Sequence, residues 1–279
     1  MNKLLVVNKT QNLTSRDVVN KLSKVFKYKK IGHTGTLDPL ATGVLVCLFG
    51  KYTKLVDLLT SMDKEYIAQI KLGIKTDTGD ITGKVIETQT YDFSEEDIIK
   101  VFNEFPKRYL QTVPKYSAIK INGKRLYEYA RNDIEVELPK REVNIYSLEL
   151  IDFHEDIITF KTHVSKGTYI RSLIEDLCEN LKTVGTMNNL TRTKQGNFDI
   201  KDSYTLSEIE KGNYQFQNIH DFLNYPSIEI PEKLVKIIAN GGKILNNFGI
   251  SDKVIFTHHN VDIAIYEKDQ ETLKPYIML

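Results

Sequence analysis

Residues 32–43 read Gly32-His33-Thr34-Gly35-Thr36-Leu37-Asp38-Pro39-Leu40-Ala41-Thr42-Gly43, and this stretch decides how the rest of the chain is interpreted. Three glycines and a proline in twelve residues are typical of a loop whose backbone approaches a ligand. Pro39 disfavours helical geometry at Asp38, so this carboxylate is expected on extended chain. The apolar run 44–49 follows at once and predicts a buried strand that anchors the loop.

A single carboxylate on an anchored, glycine-rich loop suits a nucleophile or a general base. It also suits an aspartate that caps a turn, which the residues alone favour over a catalytic role, and both interpretations stay open. No Walker motif, Gly-x-Gly-x-x-Gly, Cys-x-x-Cys or His-Glu-x-x-His occurs in the chain, so no nucleotide or metal site is predicted. Cys47 lies within the apolar run and is expected in the core.

The composition indicates a folded protein without a membrane span. The 279 residues are 41% hydrophobic and 27% charged, which excludes a chain disordered throughout. No segment approaches the roughly 18 to 20 consecutive apolar residues that cross a bilayer. The two cysteines are typical of reduced thiols in an intracellular chain, and we therefore expect a cytoplasmic protein.

The net charge of +1 conceals an uneven distribution. Residues 1–201 carry 31 basic and 26 acidic side chains, whereas residues 202–279 carry 7 and 11. The segments 21–30 and 107–125 contain five and six basic residues and no acid, and Tyr109 and Tyr116 lie in the second. Basic residues interleaved with aromatics suit single-stranded nucleic acid, although short lysine runs are also common on ordinary surfaces.

The order of predicted elements indicates an α+β fold. Strands are predicted at 3–7, 44–49, 66–72, 83–88, 148–151 and 157–163, and helices follow Thr14, Ser94, Thr168 and Thr205. Strands and helices are mixed without strict βαβ alternation. The polar segment 107–142 is weakly periodic and is expected to be an insertion or flap. After Tyr225 and Pro226 the pattern changes, and two strands are predicted in the last fifty residues.

The sequence resembles the TruB family, the bacterial tRNA pseudouridine-55 synthases. The loop 32–43 resembles the family's signature loop, and further stretches agree in order and spacing over roughly residues 3–205. These stretches are Lys64 with Tyr66, the turn 76–80, the elements of the insertion (Pro114, 116–118, Lys120, Gly123, Tyr127, 130–131 and Arg141), 165–171 and 190–192. Residues 9–12 and Val113 depart from the usual pattern, which affects the N-terminal turn and the flap rather than the chemistry.

The resemblance implies a role for each matched residue. Asp38 attacks or stabilises the sugar when the glycosidic bond breaks, Arg171 forms a salt bridge with it, and Tyr66 stacks on the base near the proton that must leave. His33 fills the gap left by the flipped base, and Leu190 and Tyr169 line the pocket. Lys64 belongs to the substrate-binding set, and Lys166 and Arg141 contact phosphates together with the basic residues of 107–131.

The resemblance also implies the organisation and partners of the protein. We expect a pseudouridine-synthase-type mixed, largely antiparallel sheet flanked by helices in a catalytic domain of residues 1–226, with the RNA-gripping insertion at about 107–142. Residues 227–279 are expected to form a small, β-rich, PUA-like domain. The expected activity converts uridine 55 in the T loop of tRNA to pseudouridine, with no cofactor, no metal, no membrane and no obligatory protein partner, by a monomer.

Three other functions are also considered for this sequence. A non-catalytic RNA-binding protein or tRNA chaperone would keep the basic segments, but it would not need Asp38, Tyr66 and Arg171 together. A retaining glycoside hydrolase would need a second carboxylic acid near Asp38, and the loop contains none. A guide-RNA-dependent synthase would typically carry a long basic extension, which is not seen after residue 201.

Overall fold

The computed structural model describes residues 1–132 and 134–279. Most strands belong to one large mixed sheet, and a smaller sheet follows near the C-terminus. The strands are β1 (Lys3–Lys9), β2 (Ile31–His33), β3 (Thr42–Phe49), β4 (Lys64–Leu72), β5 (Ile74–Thr76), β6 (Val85–Thr88), β7 (Arg108–Thr112), β8 (Lys120–Ile121), β9 (Lys124–Arg125), β10 (Lys140–His154), β11 (Ile157–Val164), β12 (Gly185–Gln195), β13 (Phe198–Asp199), β14 (Tyr204–Thr205), β15 (Ser227–Glu229), β16 (Ile244–Leu245), β17 (Lys253–His258), β18 (Val261–Asp269) and β19 (Thr272–Met278).

Helices pack beside the sheets, and three of them begin at side-chain caps that the sequence offers. They are α1 (Ser15–Val25), α2 (Val56–Thr60), α3 (Glu95–Glu104), α4 (Leu126–Arg131), α5 (Ile170–Asn180), α6 (Leu206–Glu210) and α7 (Glu232–Ala239). Thr14, Ser94 and Thr205 each form a capping box, because the side chain accepts from the third helical N–H and a carboxylate returns the bond. These three helix starts confirm the sequence prediction.

The large sheet runs in the order β14-β1-β3-β12-β4-β11-β10-β7, with β2 on β3 and β13 on β12. Only the β1–β14 and β3–β12 pairs are parallel. Strand β3 is buried along nearly its whole length, as the apolar run predicted, whereas β4 alternates between buried and partly exposed residues. The mixture of a largely antiparallel sheet with flanking helices confirms the α+β prediction.

The central strands bring distant parts of the chain together at one place. Arg192 of β12 pairs with Gly43 of β3 on one side and with Tyr66 of β4 on the other. At Gly43, where φ is +97°, a Cβ atom would lie 2.2 Å from the Arg192 carbonyl oxygen. Only glycine permits this approach of the two strands directly after the loop 34–41.

The segment 107–142 is an insertion only in its middle, which corrects the predicted bounds. Strand β7 pairs with residues 140–144 of β10 and completes one edge of the large sheet. The edge is half exposed, which explains its polar composition. The part between β7 and β10 forms the hairpin β8–β9 and helix α4, and residue 133 lies outside the described residues. The predicted strand 148–151 is likewise part of the much longer β10.

The C-terminal region forms a sheet of its own, in the order β15-β17-β18-β19-β16. The sequence predicted only two of these strands, since the others are short or weakly patterned. The region packs on the rest of the chain through a shared apolar cluster that includes Leu48, Ile265 and Leu279. The Tyr52 hydroxyl also donates to the buried Asp262 carboxylate. A β-rich C-terminal part is therefore confirmed.

Among the described residues, no helix combines the length and the apolar character needed to cross a bilayer.

Candidate functional site

The backbone on both sides of Asp38 is fixed. The hydroxyl of Ser15, the first residue of α1, accepts from the Leu37 N–H at 2.9 Å and reaches the Leu37 carbonyl at 3.3 Å. The Pro39 carbonyl accepts from the Asn12 N–H at 2.9 Å and from the Lys9 ammonium at 3.3 Å. Because the neighbours on both sides are held, Asp38 has little freedom except at its side chain.

The earlier part of the loop is held by two buried polar side chains of β12. Arg192 donates to the Val44 carbonyl at 2.7 Å and to the Gly35 carbonyl at 3.1 Å. Gln195 donates to the Thr34 hydroxyl at 2.7 Å. Hydrogen bonds of this kind offset the cost of burying a charge or an amide. Strand β12 therefore acts as a scaffold for residues 34–44.

Arg171 of α5 contacts Asp38 with two of its nitrogens. Nε lies 3.0 Å from Asp38 Oδ2, and Nη2 donates to Oδ1 at 3.3 Å. The guanidinium is itself oriented, because it donates to the carbonyls of Thr78 and Tyr116, both at 2.9 Å. The two backbone carbonyls hold the planar guanidinium, and its two contacts with Asp38 then fix the plane of the carboxylate. The turn 76–80, the insertion and α5 thus meet at one arginine.

The pKa of Asp38 is set by opposing influences. Burial raises the pKa of the Asp38 carboxyl above its ordinary value, and the nearby Asp80 carboxylate adds to this rise. Arg171 and Lys9 lower it, as cations do, but they do not fully offset burial. Lys9 is affected in turn, since burial lowers the pKa of its ammonium to about 8.

Tyr66 and Leu190 lie on neighbouring strands beside the loop. Both are buried and belong to the same apolar cluster as Leu37 and Ile170, the residues adjacent in sequence to Asp38 and Arg171. Leu190 pairs with Ala68 across the β12–β4 ladder, two residues from Tyr66. The structure thus brings Tyr66 and Leu190 to the same side of the sheet as the Asp38–Arg171 pair.

Tyr169 is fixed at the start of α5 by a network that the sequence did not predict. The Gln111 side chain accepts from the Tyr169 N–H at 2.8 Å and donates to its carbonyl at 3.2 Å. The same amide donates to the Tyr109 hydroxyl at 2.8 Å, and this hydroxyl donates to Asp176 at 2.7 Å. Strand β7 at the base of the insertion therefore holds the end of the helix that carries Arg171.

Arg141 lies against the ring of Tyr169, with its guanidinium carbon 5.6 Å from the ring centre. Gly167 makes room for it, since a Cβ atom there would lie 2.9 Å from an Arg141 nitrogen. Lys166, the neighbour of Gly167, is exposed. Arg141 and Lys166 therefore form a positively charged rim next to Tyr169.

His33 ends β2, opposite Cys47 of β3. Its Nδ1 is buried without a hydrogen-bond partner among the described residues. Burial, and the cations Arg16 and Arg192, lower the pKa of His33, so the ring is neutral near pH 7. A neutral imidazole suits contact with a nucleobase better than contact with a phosphate.

Lys64 does not reach the Asp38 carboxylate. Its ammonium donates to the Thr60 carbonyl at 2.7 Å and to the Met62 carbonyl, and burial lowers its pKa to about 8. The cations Arg192 and Lys166 contribute to this lowering and Asp63 opposes it, so the ammonium lies near other cations. In this structure Lys64 therefore holds the chain before β4 and is not part of the pair at Asp38.

A cavity of about 1060 Å³ separates the insertion from α5. Its lining includes Thr78, Tyr116, Leu126 and Arg171. Asp38 is not among the described residues that line it. Arg171 therefore borders this cavity on one side and contacts Asp38 on the other.

Lys9, Gln111 and the role of Arg192 were missed from the sequence. Lys9 gives a weak signal, because it is the last residue of β1, a strand that is otherwise largely apolar. Arg192 lies within a recognised stretch but carries no sequence sign of burial. Gln111 gives no signal at all, since Tyr169, the residue whose backbone it holds, lies 58 residues further along the chain.

Comparison with known proteins identifies the relatives of this chain. A family described as TruB family pseudouridylate synthase, N-terminal domain, matches residues 23–170. The tRNA pseudouridine synthase B of Caldanaerobacter subterraneus subsp. tengcongensis is 40% identical over 278 residues, which cover 98% of this chain and 97% of that protein. The protein of the same name from Clostridium tetani is 42% identical over 97% of this chain and 93% of its own length.

Solved structures share the fold at lower identity. A crystal structure of a Cbf5-Nop10-Gar1 complex contains a chain that is 22% identical, with a TM-score of 0.73 over 99% of this chain and 84% of that one. The structure of an H/ACA RNP bound to a substrate RNA containing 2'-deoxyuridine has a chain with the same TM-score at 21% identity. At these identities the likeness concerns the fold, and it confirms the predicted fold class.

Proposed function

Since the chain belongs to the TruB family of pseudouridylate synthases, we propose that it converts uridine 55 in the T loop of tRNA to pseudouridine. The observation that carries this proposal is the ion pair between Asp38 of the loop 32–43 and Arg171 of α5. The reaction breaks the N1–C1′ bond, rotates the uracil and joins C5 to C1′. It is an isomerisation, so it needs no redox partner and in principle no cofactor.

Asp38 acts at C1′ of the target nucleoside. Cleavage of the glycosidic bond builds positive charge on the sugar, and a carboxylate beside C1′ stabilises or attacks this centre. The Asp38 side chain is 33% exposed, whereas that of Arg171 is 6% exposed. The substrate therefore meets the carboxylate and not the guanidinium. Arg171 keeps the carboxylate oriented while the charge on the sugar changes.

Tyr66 and Leu190 receive the uracil. Their shared apolar cluster next to Asp38 supplies flat and aliphatic surface for a base outside its stack. After the C5–C1′ bond forms, the hydrogen at C5 must leave. The Tyr66 hydroxyl is the group assigned to this step, directly or through a water molecule.

His33 and the basic rim act on the rest of the RNA. Removing the uridine from its stack costs a few kcal/mol and leaves a gap in the loop, which the neutral His33 ring fills. Tyr169 lines the pocket, and Arg141 on its ring and the exposed Lys166 contact phosphates. The exposed basic residues of the insertion extend this surface.

Several further features belong to the same proposal. The catalytic part spans residues 1–226 and the small PUA-like part residues 227–279. The protein acts as a monomer in the cytoplasm, without an obligatory protein partner. Residues 202–279 carry 7 basic and 11 acidic side chains, so this region contributes only a peripheral contact to RNA.

The test is an unmodified tRNA transcript incubated with the pure protein in the absence of any added cofactor. Mapping of pseudouridine at single-nucleotide resolution is expected to show one new site, at position 55. A transcript whose position 55 carries cytidine serves as the control and is expected to stay unmodified. A non-catalytic RNA-binding protein or chaperone would bind both transcripts and modify neither, and that result would overturn the proposal.

A further inference from the structure

A cluster of potential metal ligands lies in the C-terminal sheet region. Glu232 is the first residue of α7, His258 is the last residue of β17, and His259 begins the turn to β18. One ligand atom from each of these three side chains lies within 4.8 Å of the others. No step of the proposed reaction uses these residues, and they lie in the C-terminal region, whereas Asp38 lies in the loop between β2 and β3.

The orientation of His258 leaves one ring nitrogen for a ligand. Its Nδ1 lies 2.9 Å from the Ile230 carbonyl oxygen, so Nδ1 carries a hydrogen and donates it. Its Nε2 then points at a Glu232 oxygen, 2.8 Å away. A backbone carbonyl that accepts from one imidazole nitrogen is the usual arrangement behind a metal-binding histidine, because it fixes the ring and its tautomer.

Two acceptors that face each other at this distance need a positive charge between them. With Nδ1 already protonated, Nε2 carries a lone pair in the neutral ring, and the Glu232 oxygen carries another. Either a second proton or a cation must bridge them. The side chain of His258 is only 15% exposed, whereas that of Glu232 is 85% exposed and free to rotate toward an ion.

His259 is held beside His258 by an unusual backbone. Its φ is +50°, and that of Asn260 is +60°, values that a non-glycine residue rarely adopts and that suit a tight hairpin turn. Glu229 stabilises the turn, since one of its oxygens accepts from the His259 N–H at 2.6 Å and the other from the Thr257 hydroxyl at 3.0 Å. The two imidazole rings are consequently 4.1 Å apart.

We propose that Glu232, His258 and His259 bind one divalent transition-metal ion of the Zn²⁺ class. Two imidazole nitrogens and one carboxylate oxygen suit Zn²⁺, whereas Mg²⁺ and Ca²⁺ prefer oxygen ligands throughout. Tetrahedral Zn²⁺ with bonds of about 2.0–2.1 Å separates its ligand atoms by about 3.4 Å, which small side-chain rotations supply here. Glu229 adds a second negative charge beside the site, and water completes the coordination.

The ion would join the start of α7 to the β17–β18 turn. Because an ion bound by the folded chain and not by the unfolded chain shifts the equilibrium toward folding, binding is expected to raise the unfolding temperature of the protein. This gives a readout that is independent of RNA modification.

The test uses the full-length chain without a histidine tag. Zn²⁺ binding is measured by competition with a chromogenic chelator, and Co²⁺ serves as a second probe through its visible absorption. One ion per chain is expected for the wild type. His259→Asn tolerates the positive φ while it removes the imidazole, and Glu232→Gln removes the charge, so each is expected to bind Zn²⁺ at least tenfold more weakly. His154→Ala is the matched control, since His154 is an exposed histidine with a glutamate oxygen 3.8 Å away.

Unchanged circular dichroism of the two variants shows that they fold, and the chelator competition then decides. If the wild type takes up no Zn²⁺, a proton bridges His258 and Glu232 and the proposal is overturned. Binding of the wild-type stoichiometry and affinity by His259→Asn and Glu232→Gln would overturn it equally, because the ion would then lie elsewhere. Loss of binding in His154→Ala would have the same consequence.

Discussion

Arg171 and Asp38 form an ion pair in which the arginine side chain is 6% exposed and the aspartate side chain is 33% exposed. Nε of Arg171 lies 3.0 Å from Asp38 Oδ2, and the two remaining donors used by the guanidinium go to main-chain carbonyls of the turn 76–80 and of the insertion. The turn 76–80 and the insertion therefore share one arginine with the carboxylate that we propose as catalytic.

The acid side of the pH–rate profile reports on Asp38. The reaction needs the ionised carboxylate, and the pKa of Asp38 is raised by burial. Single-turnover rates should therefore fall, as the pH decreases, at a higher pH than an ordinary aspartate near 3.9 would give. Arg171→Gln removes a cation that lowers this pKa, so the acid limb is expected to move to still higher pH. Arg171→Lys keeps the charge, and its limb should stay near that of the wild type.

The pH at which the rate falls distinguishes a changed pKa of Asp38 from misfolding, because misfolding lowers the rate at every pH. An acid limb that is the same in Arg171→Gln and the wild type would show that Arg171 does not control the charge of Asp38.

Replacement of Tyr66 by phenylalanine tests the final proton transfer. Phenylalanine preserves the packing with Leu190 and Leu37 but lacks the hydroxyl. On a transcript tritiated at C5 of uridine, the variant is expected to bind RNA normally and to release tritium at least about 10²-fold more slowly. Tyr146→Phe removes an exposed hydroxyl and is the matched control. Wild-type tritium release by Tyr66→Phe would assign the step to another group.

Gly43 is expected to be intolerant of a side chain. A Cβ atom at this position would lie 2.2 Å from the Arg192 carbonyl oxygen, whereas at Gly212 no atom lies within 4 Å. Both glycines have positive φ, so the backbone strain on replacement by alanine is similar, about 1–2 kcal/mol. Gly43→Ala adds a steric clash and should lower the free energy of unfolding by roughly 3 kcal/mol or more.

Urea denaturation of Gly43→Ala and Gly212→Ala measures this difference directly. Equal losses in the two variants would mean that β3 and β12 separate easily, and that their close approach does not anchor the Asp38 loop.

The exposed lysines of the insertion should govern the salt dependence of tRNA binding. Each phosphate contact releases counterions, and for single-stranded segments the slope of log K against log salt changes by about 0.7 per contact. Replacement of Lys115, Lys120 and Lys124 by alanine is therefore expected to make the slope less steep by about 2. Alanine at Lys211, Lys233 and Lys236 removes the same charge from exposed positions outside the insertion and should leave the slope unchanged. Identical slopes for both triple variants would exclude the insertion as the RNA-binding surface.

Local sequence signals predicted those features of the fold that depend on neighbouring residues. Thr14, Ser94 and Thr205 predict helix starts, because capping hydrogen bonds span only three residues. The apolar run 44–49 likewise predicts a buried strand. The pairing of Arg192 with both Gly43 and Tyr66 has no such signal, because it joins strands more than a hundred residues apart. The short strands of the C-terminal sheet are stabilised by their neighbours, so their own two or three residues carry little pattern.

The same distinction applies to the candidate site. The resemblance of residues 32–43 and 165–171 pointed to Asp38 and Arg171, and these side chains are in contact. The groups that hold the pair in place are a buried lysine, two backbone carbonyls and a glutamine in an edge strand. Their effect depends on burial and on long-range geometry, and the raised pKa of Asp38 follows from the same burial. For Lys64, likewise, only the structure shows that its ammonium is occupied by backbone carbonyls.

The chemical role of Asp38 is the central claim, and Asp38→Asn tests it most directly. Asparagine has the same shape as aspartate but cannot stabilise or attack the developing charge at C1′. Single-turnover conversion of uridine 55 in an unmodified transcript should fall by at least about 10³-fold, while the affinity for the same transcript stays within a few-fold of that of the wild type. Conversion at the wild-type rate by Asp38→Asn would contradict the assignment of this carboxylate as the catalytic group.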